Sequence, residues 1–352
     1  MHLAIVAKAR MQLFQGWIFF EHCFFRRTPA FSAMRKIMIW SALAFGAFFG
    51  FGPSNAFGIE IQSPGDGATD AEHIALAAQP EFQAGGWFSF TNSGTGETNW
   101  GSATLVTPDW VVTAAHNVLS PDGSTQLPLS RMKIGFGADA LTDSTTYAVT
   151  QVIRPAGYSP LNYDSDLAFL KLATPVTGIT PVGLYTGTLS AGQEVTAIGH
   201  GQPGSPATGF LPYDGIERGM VNQLGSQADF QSLFPDLAPG MVMTEFVGDN
   251  LSGNYEYFGG NLSLGDDGGG LMVLDNGVWK LAGVNVVGFD SSNYGDHAIY
   301  TEISAYSAWI SSQSALASIV PEPGAFSLVV ASAFAFLTRR TRPKKSRAGV
   351  KH

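Results

Sequence analysis

Cysteine is nearly absent from this chain: among 352 residues only Cys23 occurs, close to the N-terminus. No disulfide can therefore form within residues 57–317, and that body must be held by packing and hydrogen bonds. Positive charge is equally scarce there. Between Phe57 and Ala317 stand 6 Lys+Arg (Arg131, Lys133, Arg154, Lys171, Arg218, Lys280) against 26 Asp+Glu, a balance of −20, whereas the whole chain carries −9. A body this acidic repels phosphate backbones, which excludes nucleic acid as a partner. Long apolar runs are missing too: residues 37–51 and 324–337 give stretches of 15 and 14, short of the ~20 that a membrane-crossing helix needs. What the chain does have is 45% apolar residues, ample for a core, and 42 glycines interspersed with Val, Thr and Phe runs. That mixture favours strands and tight turns over helices.

The basic residues that the body lacks lie at the two ends. Met34-Arg35-Lys36, the apolar run 37–51 and then Ser54-Asn55-Ala56 have the order of a signal peptide, with the mature chain beginning near Phe57. Translation is expected to start at Met34, making residues 1–56 leader and signal peptide; a membrane anchor is the alternative. At the other end, residues 318–352 hold Val320-Pro321-Glu322-Pro323, the apolar run 324–337, and Arg339-Arg340-Thr341-Arg342-Pro343-Lys344-Lys345. This tail resembles the PEP-CTERM sorting signal of Gram-negative bacteria, which implies an exosortase-type processing enzyme as a partner. An ordinary C-terminal anchor is the alternative. Both place the body outside the inner membrane, in the periplasm, at the cell surface or beyond, with membrane contact through the terminal segments only.

Residues 57–85 read as an exposed lead-in with one helical turn at 71–78. From Gly86 the period becomes that of strands: Trp87-Phe88-Ser89-Phe90, then Gly101 to Val106, then Trp110-Val111-Val112-Thr113-Ala114-Ala115-His116. Further strands are expected at 132–136, 147–154, 217–223 and 241–246. A hairpin, 271–274 and 278–287, turns at Asp275-Asn276-Gly277. Three stretches together carry a family resemblance: Thr113-Ala114-Ala115-His116, Asp166-Leu167-Ala168-Phe169-Leu170-Lys171-Leu172, and Gly265-Asp266-Asp267-Gly268-Gly269-Gly270-Leu271. In that order and spacing, with Tyr300-Thr301 and Tyr306…Trp309-Ile310 after them, they resemble the chymotrypsin/trypsin family of serine endopeptidases. The resemblance implies an all-β fold: two packed six-stranded antiparallel barrels at about 86–175 and 190–300, closed by a helix at about 302–314, the domain covering 86–317. It also implies a peptide or protein as substrate or ligand, and no cofactor is expected.

By the same resemblance His116 takes the place of the general base and Asp166 that of the carboxylate orienting it, with Asp164 the runner-up. The backbone N–H groups of Gly265 and Asp267 would form the oxyanion hole, and Asn261 the floor of the specificity pocket, so a preference for Lys or Arg is not implied. The family often has a disulfide where Gly101 and Asn117 stand here. His200 falls at a strand end that the family fills with an aromatic residue. The nucleophile position is the departure, because it holds Asp267 instead of serine. A carboxylate is already ionised, attacks weakly, and would pair with His116 and shield the oxyanion donors. Three readings stay open: a pseudoprotease that binds peptides or proteins, an active enzyme using another serine such as Ser263, and a hydrolase in which Asp267 and His116 activate water. The loop at residues 249–254 is a candidate for calcium.

Overall fold

The computed structural model describes residues 59–248, 255–288, 292–316 and 319. The expected leader, the tail expected to be a sorting signal from Pro321 onward, and the 249–254 loop lie outside the described residues. A short strand, β1 (Glu60–Ile61), and helix α1 (Asp70–Ala77) precede the first barrel. That barrel is built from β2 (Gly85–Thr91), β3 (Thr98–Thr107), β4 (Trp110–Thr113), β5 (Met132–Gly135), β6 (Tyr147–Ile153) and β7 (Ala168–Leu172). It closes in the order β2-β3-β4-β7-β6-β5 with every pairing antiparallel. Its interior is the apolar set that the sequence pattern promises, including Phe88, Leu105, Val111, Ile134 and Leu170, all at most 2% exposed, while Phe169 on the other face of β7 packs toward Trp309. Each such side chain contributes about 1.5–3 kcal/mol on burial.

β8 (Gly183–Leu184) lies in the crossing between the two barrels, pairing in parallel with a later strand. The second sheet contains β9 (Glu194–Gly199), β12 (Arg218–Gln223), β13 (Met241–Glu245), β15 (Gly270–Asp275), β16 (Val278–Gly288) and β17 (His297–Glu302). Their order is β12-β9-β15-β16-β17-β13, with β8 on β16. The sheet curls until its ends meet at an isolated bridge, Leu224↔Thr244, giving the second barrel of the expected all-β pair. The β15–β16 turn has φ 52° at Asn276 and 79° at Gly277, the left-handed pair that a two-residue hairpin needs. Three short strands, β10 (Gly204–Ser205), β11 (Gly209–Phe210) and β14 (Gly260–Asn261), make a small sheet with β1. Helix α2 (Gln227–Leu233) lies between β12 and β13. One core cluster runs through both barrels, joining Val112 and Leu170 to Ile198, Met272 and Val284.

Two expectations need correction. The lead-in is docked, not exposed: Ile59, His73, Ala77 and Phe82 are all at most 1% exposed. Helix α1 is capped by Thr69 and Glu72, and His73 Nδ1 lies 2.7 Å from the Gly219 carbonyl oxygen on β12. Arg218, on the same strand, donates to both Asp70 and Asp214. The closing helix is also broken. Glu302 still belongs to β17, and the chain then runs through a 3-10 turn at Ser304–Tyr306, helix α3 (Ser307–Ser312) and another 3-10 turn at Ser314–Leu316. The serine-rich stretch has little helical preference, and Tyr306 leaves helical geometry at φ −104°, ψ 5° while its hydroxyl accepts from the Ser165 N–H. Ile303 and Ile310 face inward regardless, both fully buried.

Candidate active site

β4 delivers His116. Its residues 110–113 are all buried, and the chain leaves it in a 3-10 turn, Ala115–Val118, that holds the histidine at the junction of the two barrels. Opposite, the turn before β7 bends through left-handed residues, Tyr163 at φ 53° and Ser165 at φ 57°, conformations that non-glycine residues hold only when their surroundings impose them. Tyr306 supplies one such restraint through Ser165. Asp166, entirely buried, comes next. Its Oδ1 accepts from the His116 N–H at 2.8 Å, and its Oδ2 lies 2.7 Å from His116 Nδ1. Thr301 on β17 donates to the Asp166 carbonyl and so fixes this residue from the second barrel. Asp164 is not part of the arrangement: it pairs with Ser159 across the turn, and its carboxylate accepts from the Ser165 hydroxyl.

The third side chain comes from the loop before β15. Asp267 Oδ2 lies 3.7 Å from His116 Nε2 and 3.5 Å from the Gly265 nitrogen, whose N–H donates to it. The loop cannot be built from other residue types. Gly268 has φ 89°, and a Cβ there would lie 2.0 Å from Thr113 Oγ1; one on Gly269 would lie 2.2 Å from the Ile198 carbonyl oxygen. The main chain is bound from the first barrel. Asp267 O accepts from Ser102 N and Asn117 Nδ2, each at 2.8 Å, while Gly265 O accepts from the Ser102 hydroxyl. Asp266 is buried under the turn, accepting from Gly201 N and Ser263 N. Burial drives its carboxyl well above the usual range, the neighbouring Asp267 charge adds to that, and the two N–H donors oppose it.

Burial alone would push the His116 ring toward neutrality. The two carboxylates outweigh it, Asp166 more than Asp267, and the pKa is raised well above the ordinary imidazole value. With Nδ1 facing one carboxylate and Nε2 the other, the site favours the protonated ring.

The remaining candidates lie elsewhere. Ser263 is buried, its hydroxyl donating to the Gln202 carbonyl, so it does not stand beside His116 in place of a nucleophile. Asn261 lies on β14 opposite Glu60, 1% exposed, and neither atom of its amide has a hydrogen-bond partner among the described residues. Close by in the chain, Gly288 presses on the Leu262 carbonyl so tightly that a Cβ on it would lie 1.7 Å from that oxygen. His200 is buried with Nε2 3.0 Å from the Gly137 carbonyl oxygen, and burial pushes its pKa down to about 4. Among the described residues no three His, Cys, Asp or Glu side chains are placed to hold a metal ion. Sequence reasoning assigned Ser102, Asn117, Thr301 and Tyr306 no role at the site; their side chains, and the Ser102 N–H, bond main-chain atoms of the site residues or of Ser165, and main-chain partners leave no trace in a sequence.

Two barrels with an Asp-His pair and a glycine-walled loop at their junction define the class of chymotrypsin-like serine proteases. A sequence description of the trypsin family matches residues 78–310, and the chain belongs to that family. It is similar to trypsin-1 of Salmo salar, with 28% identity over 212 residues, 59% of this chain and 78% of that protein. Trypsin of Xenopus laevis gives 27% over 211 residues, 58% and 77% of the two chains. Transmembrane protease serine 11E of Mus musculus gives 28% over 228 residues, 61% of this chain and 48% of the relative. The chain thus spans most of the trypsins but only about half the length of the transmembrane serine proteases it matches.

Proposed function

We propose that this protein is an exported pseudoprotease: by descent a serine endopeptidase domain, it has lost peptide-bond hydrolysis and uses the retained cleft to hold a peptide or protein segment. One observation carries the reading. The Asp267 carboxylate lies against both His116 and the Gly265 N–H, the two groups that acyl transfer needs free. A base must accept a proton from the nucleophile, and an imidazolium between two carboxylates has no vacancy for one. An oxyanion needs donors unoccupied by another negative charge, and Asp267 supplies that charge already. The same protonated ring argues against Asp267 and His116 activating a water. The signal-peptide pattern of residues 34–56 and the tail of residues 318–352 support export and handling by an exosortase-type enzyme. Among the described residues no helix is long and apolar enough to cross a membrane.

The test is casein hydrolysis by the purified protein beside His116→Ala and Asp267→Ser. An inert wild type with a cleaving Asp267→Ser is the expected result. Cleavage by the wild type that disappears in His116→Ala sinks the reading.

A further inference from the structure

Asn117 follows the histidine, carries no charge, and belongs to none of the three motif residues, yet its side chain reaches the loop 150 residues further on. Its Nδ2 lies 2.8 Å from the Asp267 carbonyl oxygen and 3.1 Å from Thr113 Oγ1. The orientation of the amide is fixed by chemistry. A carbonyl oxygen only accepts, and the Thr113 hydroxyl is already spent donating to the Ser102 carbonyl, so the atom facing both must be the NH2 group. Its room comes from two glycines. A Cβ on Gly101 would lie 2.8 Å from this nitrogen and 3.1 Å from Asn117 Cγ, and a Cβ on Gly268 would also lie 2.8 Å from the nitrogen. The amide thus sits in a cradle that opens only where both walls lack side chains.

We infer that Asn117 is a positioning residue: by holding the Asp267 main chain from the first barrel, it fixes where the Asp267 carboxylate stands relative to His116. Ser102 N, on β3 of the same barrel, donates to the same carbonyl, and two donors on one oxygen restrict the direction of the peptide plane where one leaves it free to pivot. In a body without cysteine this side-chain bond does across the barrel junction what a covalent bridge would do. The inference rests on the reading that Asp267 is held against His116, and its test separates the two.

The test is nuclear magnetic resonance on the full chain with isotopically labelled histidine and asparagine, comparing wild type, Asn117→Leu and Gly101→Ala. Asn117→Leu keeps the volume and removes the donor; Gly101→Ala keeps the amide and pushes it off the carbonyl. In the wild type the Asn117 NH2 protons should exchange slowly, and Gly101→Ala should cut that protection about tenfold. Both variants should move the His116 titration down toward the ordinary imidazole range, because Asp267 drifts from Nε2 while Asp166 stays. Loss of packing alone would lower stability without moving that titration. Unprotected Asn117 protons in the wild type, or an Asn117→Leu protein whose His116 titrates as the wild type does, would overturn the inference. A wild-type His116 that titrates in the ordinary range refutes the pseudoprotease reading instead, and the proton exchange still decides on Asn117. If Asn117→Leu does not fold, Gly101→Ala and the wild-type exchange decide it.

Discussion

Asp267 and Asp166 grip opposite nitrogens of His116, one at 3.7 Å from Nε2 and the other at 2.7 Å from Nδ1. A serine at the first position would leave Nε2 free to take a proton. The aspartate instead favours a protonated, partly exposed ring between two carboxylates, and that exchange of roles should bear on stability as well as activity.

Stability should fall as the solution becomes alkaline. The folded His116 pKa is raised, so its contribution is complete below the ordinary imidazole value of 6.5 and is lost as pH rises through the folded value. Replacing Asp267 by Asn keeps the shape and removes one of the two anions. The expected outcome is a shallower alkaline loss in chemical denaturation series for Asp267→Asn, with hydrolysis still absent because an amide is no better a nucleophile. An unchanged alkaline slope would show that Asp267 does not hold the charge on the ring.

Glu217 gives a second, separable slope. Burial pushes its carboxyl up to about 8, so in the folded protein it is neutral across the range where the unfolded chain ionises from 4.5 upward. The sign is the same as for His116: the stability is present below 4.5 and lost as pH rises toward about 8. Its Oε1 lies 3.8 Å from His200 Nδ1, a ring that burial keeps neutral. Glu217→Gln should therefore be nearly silent at pH ~4.5 and gain on the order of a few kcal/mol by pH ~8. Denaturant midpoints at the two pH values check this, and equal effects at both would refute it.

The parts that were legible in the sequence are those where backbone geometry admits few residue types. Gly268 and Gly269 have no room for a Cβ, and the buried run from Trp110 to Ala115 tolerates only small or apolar side chains, so the loop and the histidine strand are written plainly. Long-range polar partners leave no such trace. Arg218 and Asp70 are 148 residues apart, and nothing in the neighbourhood of either predicts the other, so helix α1 looked exposed. The closing helix departs from its expected bounds: the apolar spacing of Ile303 and Ile310 fits a helix, but the chain leaves helical geometry at Tyr306, whose hydroxyl accepts from the Ser165 N–H. The substitution at Asp267 was legible as chemistry because it replaces the hydroxyl group that the reaction cannot do without.

Gly268→Ala should be among the most damaging single-methyl changes in the chain. Its φ of 89° disfavours any side chain, and the added carbon would meet Thr113 Oγ1 at 2.0 Å and the Ser102 carbonyl oxygen at 2.3 Å. Backbone strain and overpacking together should cost about 2–5 kcal/mol. Gly192, with φ 75° and nothing among the described residues within 4 Å of an added Cβ, isolates the strain, and Gly192→Ala should cost about 1 kcal/mol. Denaturant unfolding of the two variants checks the difference; equal losses would mean that the crowding around Gly268 relaxes freely.

The docked lead-in depends on Arg218, whose side chain is 3% exposed and whose guanidinium bonds Asp70 at 2.6 Å and Asp214 at 2.7 Å. Arg218→Met fills similar volume but leaves the Asp70 anchor unmade, and helix α1 then keeps the His73 bond to Gly219, the Tyr257 hydroxyl bonds to Glu72 and its apolar face. Asp70 and Asp214 are partly exposed and can return to water, so the loss should be about 2–3 kcal/mol, below that of a fully buried pair. Because β1 and α1 pack on β12 and β14, the damage should be local before it is global. Limited proteolysis should cut residues 62–70 of Arg218→Met well before the barrels, whereas the wild type should resist there. Simultaneous digestion of barrels and lead-in would show that the two unfold as one unit and that Arg218 braces the whole domain.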